Sequence, residues 1–150
     1  MVELRTILLA EDNPKDVELT LEAMAENNLA NQVVVVKDGV EALEYLRRKG
    51  KYKLRKAGNP AVILLDIKMP RMDGIEVLRN IRSDALLKRI PVVILTSSRE
   101  EKDLINTYDL GVNAYVVKPV DFQKFIETVK QIGSFWAVIN ELPPEGRIVV

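Results

Sequence analysis

The sequence predicts an α/β protein in which a parallel sheet of five strands is covered by helices on both faces. Five short apolar runs alternate with amphipathic segments, which is a βα pattern repeated five times. The runs VVVV, AVILL and PVVIL are apolar throughout, as expected of central parallel strands that are buried on both faces. With 150 residues, 47% of them hydrophobic, the chain has the size of one ordinary domain.

The strands and helices follow from these runs in chain order. Strands are predicted at residues 6–10, 33–36, 61–65, 91–95 and 114–117. Helices are predicted at residues 14–28, 40–48, 74–82, 100–110 and 121–139. Asp12 or Asn13 would cap the first helix, with Pro14 in its first turn, and Gly111 would end the fourth. The expected architecture is a flavodoxin-like, doubly wound, three-layer α/β/α sandwich.

Polar residues follow the apolar runs. Glu11 and Asp12 come after the first run, Asp66 after the third, Thr96 after the fourth and Lys118 after the fifth. In open parallel sheets, ligands bind outside the carboxyl ends of the strands. We therefore expect three acids, one hydroxyl and one lysine to meet in a single crevice.

The charge of this crevice indicates what it binds. Two carboxylates about 4 Å apart repel each other by roughly 4 kcal/mol at an effective dielectric of 20, and Lys118 alone cannot balance three acids. Mg²⁺ is suited to such a site, because it accepts carboxylates together with waters and phosphate oxygens. Asp66 would then supply an attacking oxygen, while Thr96 and Lys118 would contact a phosphoryl group. A single acid at a strand end is more often a loop residue or a helix cap, and Asp12 could be only a cap.

Composition excludes several classes of function. The 22 basic and 22 acidic residues cancel and the pI is about 6.4, so we expect binding neither to nucleic acid nor to an anionic membrane. The absence of cysteine suits a reducing cytoplasm, and no run approaches the roughly 20 apolar residues of a membrane span. Since the chain has no histidine, any phosphohistidine must lie on a partner. The expectation is a soluble cytoplasmic protein.

Two segments depart from a minimal βα repeat. Residues 47–60 carry seven basic residues and no acid; we interpret them as a solvated loop, with a docking patch as the alternative. After Trp136, two prolines and a glycine interrupt any helix. The expected organisation is therefore one domain at residues 1–140 and a tail at residues 141–150.

Four motifs carry a resemblance to a known family. They are Glu11-Asp12-Asn13, the segment 65–70 (LDIKMP) with Met72-Asp73-Gly74, Leu95-Thr96-Ser97, and the segment 115–119 (YVVKP). Together, over about residues 5–132, they resemble the receiver domain of two-component response regulators.

The resemblance implies a role for each residue of the crevice. Asp66 would accept a phosphoryl group from the histidine of a sensor kinase. Mg²⁺ would be held by Glu11, Asp12, Asp66 and the backbone carbonyl of Lys68. Lys118 would contact the phosphoryl group, and Thr96 and Tyr115 would form the activation switch. Such a protein is a phosphoacceptor that assists its own phosphorylation and dephosphorylation, and it is no enzyme in the usual sense.

A narrower resemblance concerns the partner. The long basic connection, the Glu-Asp-Asn opening and the Phe135-Trp136 ending resemble the small regulators associated with phytochromes. The kinase would then be a phytochrome.

Aromatic residues in the last helix also predict a homodimer through the fourth helix, the fifth strand and the fifth helix. The alternative is that these aromatics pack that helix on its own sheet.

Three other functions use a similar framework. The first is a Mg²⁺-dependent phosphatase of the haloacid dehalogenase type. Such enzymes have a second aspartate two positions after the first, and this chain has Lys68 there. A flavin carrier would need a phosphate-binding loop after the first strand, where Glu11 and Asp12 would repel phosphate. A pure interaction module would leave the carboxylates unexplained.

Overall fold

Five parallel strands form one sheet in the order β2-β1-β3-β4-β5. The computed structural model describes residues 6–25, 32–56, 58–97, 110–112, 114–118 and 123. The strands are β1 (Ile7–Ala10), β2 (Val33–Val36), β3 (Val62–Asp66), β4 (Val92–Thr96) and β5 (Ala114–Val117). All four strand pairs are parallel. This is the strand order of the flavodoxin-like fold, and it confirms the predicted fold class.

Two strands end one residue later than predicted. Asp66 is the last residue of β3 and pairs with Leu95, and Thr96 is the last residue of β4 and pairs with Val117. The apolar run alone indicated earlier ends, because hydrophobicity marks burial, whereas a strand also includes a polar residue that stays in the backbone ladder.

Three helices are described: α1 (Pro14–Ala25), α2 (Gly39–Arg47) and α3 (Gly74–Ser83). Asn13 caps α1, since its Oδ1 accepts the backbone N–H groups of Lys15 at 2.9 Å and Asp16 at 3.3 Å. The predicted fourth and fifth helices lie outside the described residues, apart from Leu110 and Gln123. The tail expected at residues 141–150 also lies outside them.

Two apolar clusters fill the space between the sheet and the described helices. Leu8 and Ile63 belong to the cluster that includes residues of α2 and α3. Ile7 and Leu64 point to the opposite face, where Met24 of α1 packs. Helices therefore cover both faces of the sheet, as the predicted three-layer architecture requires.

The basic connection between α2 and β3 is more than a solvated loop. Arg55 donates to the carbonyls of Tyr45, Lys56 and Gly58, and its guanidinium carbon lies 4.2 Å from the centre of the Tyr45 ring. The connection contains a short 3₁₀ helix, Gly50–Tyr52. Leu54, in contrast, is 90% exposed. Most residues of the segment are exposed, as expected of a solvated loop, while Arg55 is half-buried and holds the segment against α2.

Glu41 joins the same connection to α2. Its buried carboxylate accepts from the Tyr52 hydroxyl at 2.7 Å and from the Lys37 backbone N–H at 2.9 Å, and it lies 2.7 Å from Lys51 Nζ. Burial acts to raise the pKa of Glu41, but the bonds from Lys51, Lys37 and Tyr52 outweigh it and lower the pKa to about 2.

Arg82, at the end of α3, anchors the segment that leads into β5. Its guanidinium donates to four backbone carbonyls, those of Lys88, Ile90, Leu110 and Gly111, at 2.8–3.1 Å. Burial lowers the pKa of this arginine, yet its cationic form is retained because guanidinium stays protonated in proteins. The residue ties α3 to the strands on the β5 side of the sheet.

Candidate metal and phosphoryl site

The topology brings Glu11, Asp12 and Asp66 together at the carboxyl ends of neighbouring strands. β1 and β3 are neighbours with Ala10 paired to Leu65, so Glu11 and Asp66 occupy equivalent positions at their carboxyl ends. The first connection from β1 leads to β2 on one side, and β3 lies on the other. This reversal of strand order is the place where open α/β sheets bind ligands.

The three carboxylates converge as predicted. Each offers an oxygen, and these oxygens all lie within 4.8 Å of one another. Glu11 is 1% exposed and Asp66 is 6% exposed, whereas Asp12 is exposed to solvent. An all-oxygen, anionic set with one side open to water has the ligand chemistry that Mg²⁺ and Ca²⁺ prefer. The residues therefore fit a hard divalent cation.

Among the described residues, Lys118 is the cation that contacts this cluster. Its Nζ lies 3.1 Å from Glu11 Oε1 and 3.4 Å from Asp66 Oδ1. It also lies 3.0 Å from Asp16 Oδ2. Partial burial acts to lower the pKa of Lys118, but the hydrogen bonds to Asp16 and Glu11 and the charge of Asp66 raise it well above the ordinary value. Lys118 is thus held in its charged form.

Asp16 is a member of the site that the sequence did not reveal. It stands in the first turn of α1, where an acid is expected simply because it favours a helix N-terminus. Its partner Lys118 is 102 residues away in the chain. The available signal was its position four residues after Asp12, in the first turn of the helix that follows β1.

The pKa of Glu11 shows that the carboxylates repel one another. Burial, followed by the hydrogen bond and charge of Asp66, raises the pKa of Glu11 to about 7. The backbone N–H of Asn13 and the ammonium group of Lys118 act in the opposite direction but do not cancel this effect. One lysine therefore leaves the cluster short of positive charge.

The loop after Asp66 is closed tightly at its base. Asp66 Oδ1 accepts the N–H of Ile67 at 2.9 Å, and the N–H of Gly74 donates to the Ile67 carbonyl at 2.7 Å. A Cβ atom at Gly74 would collide with the backbone carbonyl of Asp66. Only glycine allows α3 to begin so close to the strand end. Lys68 is exposed in this loop.

The two switch candidates lie beside the site on β4 and β5. Thr96 ends β4, two positions after Ile94, which pairs with Tyr115. Tyr115 is half-buried and packs against the core cluster that contains Ile94. The side chain of Thr96 is outside the described part of the structure, so its switch role stays a prediction.

Comparison with known proteins identifies the family. The family described as "Response regulator receiver domain" matches residues 7–130, which is most of the chain. The matched region contains the motifs at residues 11–13, 65–74, 95–97 and 115–119. The chain belongs to this family.

Similar proteins include response regulators whose names link them to phytochromes. The receiver domain is 37% identical to "Response regulator Rcp1" of Synechocystis over 93% of each chain. The bacteriophytochrome response regulator AtBRR is 57% identical, with a TM-score of 0.86 over 93% of this chain and 99% of the other. The phosphorylated cyanobacterial phytochrome response regulator RcpA is 45% identical, with a TM-score of 0.71 over 89% of this chain and 94% of the other.

These relatives confirm the predicted family and its phytochrome-associated type. They favour neither the phosphatase nor the interaction module. A structure of Rcp1 contains bound Mn²⁺, which agrees with the oxygen ligand set found here. Among the described residues of the receiver domain, no helix is long and apolar enough to cross a membrane.

Proposed function

We propose that Asp66 is the phosphoryl acceptor of a two-component phosphorelay and that Mg²⁺ is its cofactor. The observation that carries this proposal is the convergence of Asp66 with Glu11 and Asp12 within 4.8 Å, next to Lys118 at 3.4 Å. The phosphorylated structure of RcpA and the Mn²⁺-bound structure of Rcp1 support it by similarity.

The chemistry is one phosphoryl transfer. A carboxylate oxygen of Asp66 attacks the phosphorus of a phosphohistidine on the kinase, an O–P bond forms and the N–P bond breaks. The histidine nitrogen keeps the electron pair of the broken bond and takes up a proton. Lys118 neutralises one phosphoryl oxygen, and the Thr96 hydroxyl donates to another.

The charge of the site explains why the reaction would need a metal. Among the described residues, four carboxylates, those of Glu11, Asp12, Asp16 and Asp66, stand against the single charge of Lys118, which leaves three negative charges when all are ionised. Glu11, Asp12, Asp66 and the Lys68 carbonyl would hold Mg²⁺, which supplies charge to offset the incoming phosphoryl oxygens. The side chains alone would repel a phosphate donor.

Phosphorylation is tested by intact mass. With acetyl phosphate and Mg²⁺, the protein is expected to gain one phosphoryl group, and Asp66→Asn to gain none. Asp73→Asn is the matched control, because asparagine can keep the cap that Asp73 provides to the N–H of Glu76. Labelling of Asp66→Asn at the wild-type rate contradicts the assignment.

The metal site is tested by calorimetric titration with Mg²⁺. Asp12→Ala removes an exposed ligand and should weaken Mg²⁺ binding by at least about tenfold, with slower phosphorylation at limiting Mg²⁺. Glu18→Ala removes an exposed carboxylate elsewhere on α1 and should leave binding unchanged. Equal Mg²⁺ affinity in both variants removes Asp12 from the site.

The partners and setting follow as further parts of the proposal. A sensor histidine kinase supplies the phosphoryl group, and the similarity to phytochrome regulators favours a phytochrome. The protein acts in the cytoplasm without binding nucleic acid or membrane, as a phosphoacceptor and not as an enzyme with turnover on a substrate. Transfer from a phytochrome kinase, compared with an unrelated histidine kinase, tests the partner.

The homodimer through the fourth helix, β5 and the fifth helix remains a prediction. Among the described residues it is supported by β5, which is at the edge of the sheet and carries Val117, a side chain that is 45% exposed. Sedimentation with and without acetyl phosphate decides the point, and a monomer under both conditions removes the dimer.

A further inference from the structure

Arg71 adopts a backbone conformation that arginine rarely uses. It lies in the loop 67–73 between β3 and α3, with φ at 63° in the left-handed region. Its side chain forms two parallel hydrogen bonds to Asp38, from Nε to Oδ2 at 3.0 Å and from Nη2 to Oδ1 at 3.0 Å. Arg71 is thus directed to a residue 33 positions earlier in the chain.

Asp38 is a fixed anchor for this arginine. It caps α2, since its Oδ1 also accepts the N–H of Glu41 at 2.8 Å, and its side chain is only 15% exposed. Most exposed ion pairs contribute little, but a bidentate pair between arginine and an immobilised carboxylate is the geometry that orders both groups.

A second contact holds the same loop against α2. Gly39 packs so closely on Met72 that a Cβ atom at Gly39 would collide with the Met72 backbone. At its base, the loop is closed by the hydrogen bond from Gly74 to Ile67 at 2.7 Å. The loop that follows Asp66 is therefore fixed both at its base and along its side.

We propose that Arg71 is a positioning residue of the metal site, acting through its bidentate pair with Asp38. The inference rests on the proposed function, in which the Lys68 carbonyl and Asp66 bind Mg²⁺. A backbone carbonyl binds a cation well only if its loop is already ordered, because the ordering entropy is otherwise lost on binding. Arg71 would hold the loop ordered before the cation arrives.

Four variants separate positioning from stability. Arg71→Asn removes the pair but tolerates a left-handed backbone, and Asp38→Asn keeps a cap for α2 while losing the charge. Arg71→Lys keeps the charge without the fork. Arg79→Gln is the control, because it removes an exposed arginine that pairs with Glu76 on α3.

The readouts are the Mg²⁺ dissociation constant and the phosphorylation rate with acetyl phosphate. Arg71→Asn and Asp38→Asn should each weaken Mg²⁺ binding by about tenfold, with Arg71→Lys intermediate and Arg79→Gln unchanged. The double variant Arg71→Asn/Asp38→Asn should bind Mg²⁺ no more weakly than the weaker of the two single variants, because each substitution removes the same ion pair. Saturating Mg²⁺ should restore the phosphorylation rate.

Three results overturn the inference. They are wild-type Mg²⁺ affinity in Arg71→Asn, additive losses in the double variant, and a rate defect that persists at saturating Mg²⁺. Failure of the proposed function looks different, because wild-type protein would then bind Mg²⁺ without gaining a phosphoryl group. The Mg²⁺ titrations test Arg71 even in that case.

Discussion

Replacing Lys118 by methionine tests the charge balance of the site. Its ammonium group lies 3.0–3.4 Å from Glu11, Asp16 and Asp66. Each contact corresponds to about 5 kcal/mol of Coulomb attraction at an effective dielectric of 20, and desolvation cancels most of it. Removing one partner of a buried ion pair costs about 3–5 kcal/mol. Since Glu11 can take up a proton, we expect a loss near the lower limit, about 3 kcal/mol.

The loss of stability in Lys118→Met should depend on whether Mg²⁺ is present. Lys118→Met has one more uncompensated negative charge, so it should bind Mg²⁺ about tenfold more tightly, which restores about 1.4 kcal/mol at saturating Mg²⁺. Urea unfolding at neutral pH, with and without Mg²⁺, measures both effects. Lys53→Met, at an exposed position, is the control. The reasoning is refuted if Lys118→Met has wild-type stability without Mg²⁺, or if Mg²⁺ stabilises both proteins equally.

Three further predictions concern the rest of the fold and the switch. The lowered pKa of Glu41, about 2 against an ordinary 4.5, contributes about 3 kcal/mol of stability above pH 4.5, and this is lost as the pH falls towards 2. In urea unfolding, the difference in stability between the wild-type protein and Glu41→Gln should therefore shrink over that range, and a constant difference contradicts the prediction. Arg82→Ala should lower stability by about 3 kcal/mol, because four carbonyls lose a charged donor; a loss below about 1 kcal/mol would show that water replaces the guanidinium. Thr96→Ala should still accept a phosphoryl group at Asp66 by mass but lose most of the phosphorylation-dependent change in partner affinity, and full switching excludes the route through Thr96 and Tyr115.

The sequence predicted the parts of the site that depend on strand ends. Glu11 and Asp66 follow apolar runs, and the alignment of parallel strands is enough to bring them together. The cap of α1 was predicted as Asp12 or Asn13, because capping is local, and the structure shows that it is Asn13. The three-layer architecture followed from the alternation of apolar and amphipathic segments.

Contacts that depend on side-chain packing could not be predicted. Asp16 meets Lys118 because the first turn of α1 lies beside the residue that follows β5. The local sequence does not specify how these two distant elements pack together. The left-handed conformation of Arg71 and its reach to Asp38 depend on a loop shape that composition does not encode. The inward bonds of Lys51 and Arg55 were hidden within a run of basic residues that resembles ordinary solvated surface.

The exposed position of Leu54 has a practical use. The connection that carries it precedes β3 and so lies at the end of the sheet opposite the carboxylates, while its side chain is 90% exposed. Because the chain has no cysteine, Leu54→Cys would create a single reactive thiol. A fluorophore or spin label attached there would follow association with a kinase or a second protomer, and the phosphorylation chemistry would proceed undisturbed at the far end of the sheet.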